Sequence, residues 1–220
     1  MRRKRELIVG IIILMIATLA FLFGWTNLFT VKAVAVEGSP NSQITKQVLQ
    51  IADIRVGEKL ARVEPRNVSS KLSLSGIDWI KEVKVKRNWV SRNVTIKIDA
   101  RVPVAVSGDK FVDASGVLFT SPVAQNKKLA QISAESETSR AAAIELYLAL
   151  PTDLRNQVTA IAASSTENFQ ITLNDKLQIN WGSNSNTSVK IKIYKALVAL
   201  PENNKITEMD VSDPTKPTVK

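Results

Sequence analysis

The side chains that carry most enzymatic chemistry are missing here: the 220 residues include no His and no Cys. Zinc sites of the Cys/His kind, thiol nucleophiles and Ser-His-Asp triads are thereby excluded. Nucleophilic chemistry would have to come from a Ser–Lys dyad or a carboxylate pair. Ser69, Ser70 and Lys71 form the one suggestive run, on a stretch that reads as helix. Neighbours in a helix point to different faces, so Ser70 and Lys71 are badly placed for a dyad, and no oxyanion-hole motif accompanies them. The expectation is a protein that binds rather than catalyses, with no cofactor and no metal.

Charge narrows the partners. The chain carries 30 Lys+Arg against 20 Asp+Glu, a formal net charge of +10. Arg2 to Arg5 with Glu6 account for +3 of this, leaving +7 spread over the rest. A spread positive charge suits work beside anionic lipid or wall polymer. Nucleic acid fits poorly, because no Arg/Lys cluster is interleaved with stacking aromatics.

These residues need a frame, and the first element of it is apolar. Leu7 to Trp25 is 19 residues without a charge. As a helix it would extend roughly 28 Å, close to the hydrocarbon thickness of a bilayer. The basic Arg2–Arg5 places the N-terminus inside, and Trp25 suits the far interface. A cleaved signal peptide would have a shorter core and a small-x-small site soon after it. Ala33-Val34-Ala35 lies well beyond, in a predicted strand, so the expectation is an uncleaved single-pass anchor with the bulk of the chain outside.

Beyond the anchor the periodicity alternates between strand and helix. Val31–Glu37 reads as a strand. A helix opened by Ser39-Pro40 or Ser42 carries Ile44, Val48 and Ile51 at helical spacing, and a second starts at Glu64-Pro65 and buries Val68 and Leu72. Two long strands then flank the turn Ser91-Arg92-Asn93. On the second, Val94, Ile96, Ile98, Ala100, Val102, Val104 and Val106 share one face, which predicts a single strand serving two sheets. Trp79 and Trp89, flanking the first strand, read as core or hinge packing.

Past Ser107 the pattern changes to hairpins with inserted helices. Phe111–Phe119 reverses through Asp113-Ala114-Ser115-Gly116. Phe169–Leu173 and Leu177–Trp181 make a second hairpin. The spacing predicts helices over Glu137–Leu150 and from Thr187 or Ser188 to Pro201, and a last strand over Ile206–Val211. Asp213–Lys220, with Pro214 and Pro217, reads as an extended tail.

The order of motifs resembles the FtsQ/DivIB family of bacterial cell-division proteins, and strand-helix-helix-strand-strand after an anchor resembles a single POTRA domain. The resemblance is carried by Val36-Glu37-Gly38, Asp78-Trp79-Ile80, Arg87-Asn88-Trp89, Thr95-Ile96-Lys97-Ile98 and Arg101-Val102-Pro103-Val104-Ala105. It continues through Val112-Asp113…Gly116-Val117-Leu118-Phe119, Asn180-Trp181-Gly182 and Met209-Asp210-Val211. Two positions depart from the family pattern: Ala100 stands where an acidic residue usually precedes Arg101, and Trp89-Val90 replaces Trp-Pro.

The resemblance implies an α+β chain: a cytoplasmic tail (1–6), a transmembrane helix (7–25), a POTRA domain (31–99), a mainly antiparallel β domain with inserted helices (100–212) and an extended tail (213–220). It implies a non-enzymatic divisome scaffold in the bacterial plasma membrane at the septum. Such a scaffold binds bitopic coiled-coil partners of the FtsB/DivIC and FtsL types and helps regulate septal peptidoglycan synthesis. The family's partner docks by strand addition to an exposed edge, which here corresponds to Glu208, Met209, Asp210, Val211, Ser212, Asp213 and Thr215. Lys84, Lys86 and Arg87 correspond to a recruitment surface on the POTRA domain. The alternative is an anchored extracytoplasmic POTRA binding or sensor module not dedicated to division.

Overall fold

A computed structural model describes residues 2–24, 29–123 and 128–220, apart from the side chains of 2, 3 and 22–24. The chain divides into two compact units, Met1–Ala100 and Arg101–Lys220, which are taken separately here.

In the first unit, α1 (Arg2–Gly24) is a 23-residue helix whose apolar residues from Leu7 onward are exposed, Leu14 to 69 %. Among the described residues no helix is long and apolar enough to cross a membrane. The described side chains of α1 begin with Lys4, Arg5 and Glu6, and the apolar run Leu7–Phe21 that follows extends only about 22 Å. The expected span to Trp25 therefore rests on the sequence, and Trp25 itself lies outside the described residues.

The remaining elements of this unit are β1 (Ala33–Glu37), α2 (Ser42–Ala52), α3 (Pro65–Ser73), β2 (Ile80–Asn88) and β3 (Asn93–Ala100). The three strands form a sheet in the order β1-β3-β2, with β3 parallel to β1 and antiparallel to β2. Asn41 caps α2 by accepting from Ile44 N, and Pro65 occupies the first turn of α3, where its missing N–H costs nothing. Val48 and Ala52 on α2, Val68 and Leu72 on α3, and Val94, Ile96 and Ile98 on β3 are all buried. The other sheet face keeps Glu37, Lys84, Lys86 and Lys97 in solvent.

The predicted single strand is two. β3 ends at Ala100 and β4 (Pro103–Ser107) begins after Arg101-Val102. The alternation changes phase across this break: Val102 is 71 % exposed, whereas Ala105, of the opposite parity, is fully buried. Pro103 removes a ladder donor and disfavours helical backbone just before it, which fixes the break.

The second unit continues with β5 (Lys110–Asp113), β6 (Leu118–Phe119), β7 (Ala130–Ala134), α4 (Glu137–Ala149), α5 (Thr152–Arg155), β8 (Val158–Ala163), β9 (Phe169–Leu173), β10 (Leu177–Gly182), α6 (Thr187–Val198), β11 (Glu208–Asp210) and β12 (Thr218–Val219). Nine strands form one sheet in the order β12-β11-β10-β9-β8-β7-β4-β5-β6. It is mainly antiparallel, but the pairs β4–β7, β7–β8 and β10–β11 are parallel. Parallel neighbours need a crossover: α4 and α5 carry the chain from β7 to β8, α6 carries it from β10 to β11, and β5 and β6 intervene between β4 and β7.

Ser136 caps α4 in a reciprocal box with Ser139. This helix lies on β7 and β8, with Ala143, Ala130 and Ala163 among the buried residues. Small side chains on both surfaces allow close approach. The same smallness hid β7 and β8 from sequence reading, since alanine, a weak strand former, dilutes the β-branched Ile132, Val158, Thr159 and Ile161 that would mark them.

In the first unit one glycine is fixed by contact as well as by conformation. Gly38 has φ +81°, and a Cβ there would stand 2.1 Å from Ile98 O. Gly38→Ala is expected to destabilise the first unit by about 2 kcal/mol or more; urea unfolding followed by tryptophan fluorescence, which Trp79 reports from the core, checks it.

Candidate functional site

The motif Met209-Asp210-Val211 lies inside the sheet. β11 pairs in parallel with β10 on one side, Asn180 opposite Asp210. It pairs antiparallel with β12 on the other, Met209 opposite Val219. Met209 and Val211 are buried. Asp210 accepts from Asn180 Nδ2 at 2.8 Å and from Ser212 N and Oγ at 2.8 and 2.6 Å. Burial alone would raise its pKa; the two Ser212 bonds, the Asn180 amide and the Lys190 ammonium together bring the carboxyl below its usual range.

Asn180-Trp181-Gly182 completes this structure from the neighbouring strand. Trp181 is fully buried. Gly182 has φ +66°, and a Cβ there would meet Ser212 Cβ at 2.8 Å, so only glycine lets the end of β10 approach residue 212. Lys190 on α6 is also buried. Its Nζ donates to Trp181 O at 2.7 Å and Ser183 O at 2.8 Å and lies 5.9 Å from the Trp181 ring centroid. Burial pushes its pKa down, against the pull of Asp210. The loop 183–186 thus receives a buried cation and also sends Asn184 Nδ2 to Ala142 O.

The expected edge is corrected accordingly. Glu208, Met209 and Asp210 have a strand on each side, Val211 N donates to Asn180 O, and the tail expected to be merely extended folds back as β12. Ser212 serves Asp210, and Asp213 accepts from Thr215 N and Oγ1 in a turn. Sequence reasoning missed β12 because a two-residue strand after Pro214 and Pro217 carries no periodicity. Among the described residues the sheet has two terminal strands, β12 and β6, and the outer side of β12 is the edge next to the Met209-Asp210-Val211 motif. Lys220 exchanges both backbone hydrogen bonds with Glu208, so alternation turns the backbone N–H and C=O of Val219 outward. An open groove beside this edge is lined by Gln170, Gln178, Asn180, Glu208 and Thr218.

The three residues expected as a recruitment surface separate. Lys86 is exposed on the open sheet face. Lys84 shares that face but pairs with Glu82 at 2.8 Å and Asp99 at 3.7 Å. Arg87 is a clamp: its Nη1 donates to Leu60 O, Ala61 O and Val63 O, and its guanidinium lies over Trp89, 5.3 Å from the ring centroid. Trp79 is buried, whereas Trp89 is 36 % exposed and packs edge-on against Phe29. Ser70 and Lys71 are exposed, adjacent residues of α3, without the geometry of a dyad.

Arg101 is paired within its own unit. It donates to Asp113 Oδ2, whose other oxygen accepts from Ser115 N, Ser115 Oγ and Val117 N. The missing acidic residue at position 100 is therefore immaterial to Arg101, which draws its partner from the β5–β6 turn. Burial would raise the Asp113 pKa, but the bonds from Ser115, Arg101 and the backbone amides outweigh it and lower it from the ordinary 3.8.

The family description "Cell division protein FtsQ/DivIB, C-terminal" matches residues 100–212, and "POTRA domain, FtsQ-type" matches residues 29–100. The chain belongs to the FtsQ/DivIB cell-division family. It is 31 % identical to the cell division protein FtsQ of Mycolicibacterium smegmatis, over 98 % of this chain and 67 % of the relative. The FtsQ of Mycobacteroides abscessus is 28 % identical over 97 % and 69 %. That of Corynebacterium glutamicum is 24 % identical over 84 % and 85 %. FtsQ/DivIB is a family of division scaffolds, and the interlock of Asn180-Trp181-Gly182 with Met209-Asp210-Val211 gives its two C-terminal motifs a structural purpose.

Asp113→Asn is expected to lower stability by about 2 kcal/mol, less than for a fully dry pair because Arg101 keeps 19 % of its side chain exposed. Acid sensitivity follows from the lowered carboxyls. Asp113 and Asp210 contribute stability above their unfolded value near 3.8, and this is lost as pH falls through their folded values. Thermal unfolding from pH 6 to 2.5 is expected to show a drop in Tm below about pH 4, shallower in Asp113→Asn and Asp210→Asn.

Proposed function

We propose that this protein is a single-pass membrane scaffold of the division septum, anchored through Leu7–Trp25 with Arg2–Arg5 on the cytoplasmic side. In this reading residues 31–99 form the extracytoplasmic POTRA domain, and the unit Arg101–Lys220, which includes β12, is the partner-binding domain. It binds bitopic coiled-coil partners of the FtsB/DivIC and FtsL types and acts by binding in the control of septal peptidoglycan synthesis. The supporting observation is the unpaired outer side of β12, held at the end of the sheet by the buried β10–β11 seam. An incoming strand would draw affinity from the outward N–H and C=O of Val219 and selectivity from the side chains around the groove. Glu208 and Thr215 flank that edge, whereas Met209, Asp210 and Val211 support it from within. Lys86 and the opposing face of Lys84 remain the POTRA residues offered to a recruiting protein.

Proline separates these roles. Val219→Pro removes an outward donor without touching the ladder to β11, a position where an edge strand tolerates proline. It is expected to weaken binding of the coiled-coil partner at least about tenfold with Tm unchanged, as measured by calorimetry; unchanged affinity would sink the edge assignment. In dividing cells a fluorescent fusion is expected to band at midcell, and uniform membrane fluorescence through constriction would overturn the septal role.

A further inference from the structure

The chain enters the POTRA unit between two loop tips. Phe29 O accepts from Leu60 N, Val31 exchanges backbone bonds with Glu58 and Gly57, and Lys32 N donates to Arg92 O, all at 2.8 Å. Phe29 also meets the edge of Trp89 at 6.1 Å. Residues 29–32 therefore lie between the 53–63 loop and the β2–β3 turn. Both tips present apolar side chains to solvent: Val56 is 69 % exposed, Val90 95 % and Trp89 36 %. Polar residues are the ordinary choice for such turns. Around them stand Lys32 and Lys86, both exposed, and the partly exposed Arg92. The nearby acids are Asp53, paired with Arg55 at 3.6 Å, and the partly covered Glu58.

Chain length says what faces these tips. Only residues 25–28 separate Gly24, the end of α1, from Phe29, and a fully extended chain covers that step in at most about 18 Å. If α1 is the anchor, as proposed above, the end of the sheet holding Phe29, Trp89 and Val90 cannot leave the vicinity of the bilayer. Exposed valines beside a tryptophan, ringed by cations, match a headgroup layer: apolar groups and an amphipathic ring enter it, and ammonium and guanidinium groups meet phosphate. We propose that the Val56 and Val90 tips, with Trp89, dip into the anionic phospholipid surface in which this chain is anchored. Lys32 and Arg92 then bind lipid phosphates, and the POTRA unit is held against the membrane rather than swinging on a tether. This inference rests on the anchored reading of α1.

The absence of cysteine makes the test direct. Single-cysteine variants Val56→Cys, Val90→Cys, Met15→Cys and Leu74→Cys of the full chain are labelled with an environment-sensitive fluorophore. They are reconstituted into vesicles of phosphatidylcholine and phosphatidylglycerol that carry a spin-labelled quencher lipid. Leu74, 85 % exposed, follows α3 and precedes β2, at the opposite end of the hairpin from residues 89–92. The expected result is a blue shift and quenching at 15, 56 and 90, with position 74 behaving as in water. Adding Lys32→Glu is expected to lower the docked fraction at 90 relative to the free one about fivefold or more, as is omission of phosphatidylglycerol. Quenching at 15 with positions 56 and 90 indistinguishable from 74 would overturn the inference and leave the anchor standing. No quenching at 15 would refute the anchor itself. Protection at 90 only after a protein partner is added would assign the tips to that partner instead.

Discussion

A half-buried carboxylate and a buried ammonium hold the C-terminal end of this molecule together. Asp210 is fixed by Asn180 and Ser212, and Lys190 by the carbonyls of Trp181 and Ser183. Neither charge is tolerable in a buried setting without its hydrogen bonds. The chain satisfies both only when β10, β11 and the start of α6 are in register. That requirement makes the parallel β10–β11 pairing specific, and the open edge at β12 exists only because β11 is already in place.

The same logic appears at smaller scale elsewhere. Arg87 ties the Leu60–Val63 loop to β2 through three carbonyls, and Arg101 ties the start of β4 to the β5–β6 turn through Asp113. Each unit thus uses a guanidinium to satisfy backbone or carboxylate oxygens that loops would otherwise leave to water. Basic residues counted in the sequence as a spread surface charge include several that are structural, and the surface available to anionic partners is correspondingly smaller.

Much of the architecture was legible. The helices α2, α3, α4 and α6 announce themselves by period and by Pro65, Pro151 and Pro201, and the strand-helix-helix-strand-strand order follows from them. The ordered motifs were enough to indicate the family. Three things were not legible. Alanine-rich β7 and β8 carry a diluted strand signal, their β-branched Ile132, Val158, Thr159 and Ile161 being set among alanines on which a helix packs. The seven-residue apolar alternation from Val94 to Val106 conceals a phase change at Arg101-Val102, since Val102 is as apolar as its neighbours yet exposed. And Met209-Asp210-Val211 does not form the edge expected there: these residues are paired on both sides, and the strand outside them is too short to read. Lys84, Lys86 and Arg87 show the same limit, because alternation assigns a face but cannot say which cation is already engaged by an acid or a carbonyl.

The brevity of β12 has a consequence for solubility. A long, flat, unpaired strand is a template on which any extended chain can add, including a second copy of the same protein. Two ladder residues preceded by two prolines offer almost no such template: a strand arriving at random finds too few hydrogen bonds to stay. Only a segment that also fits the side chains around the edge would gain enough to remain. The sheet can thus leave this side open without inviting self-association, because so little backbone is exposed there.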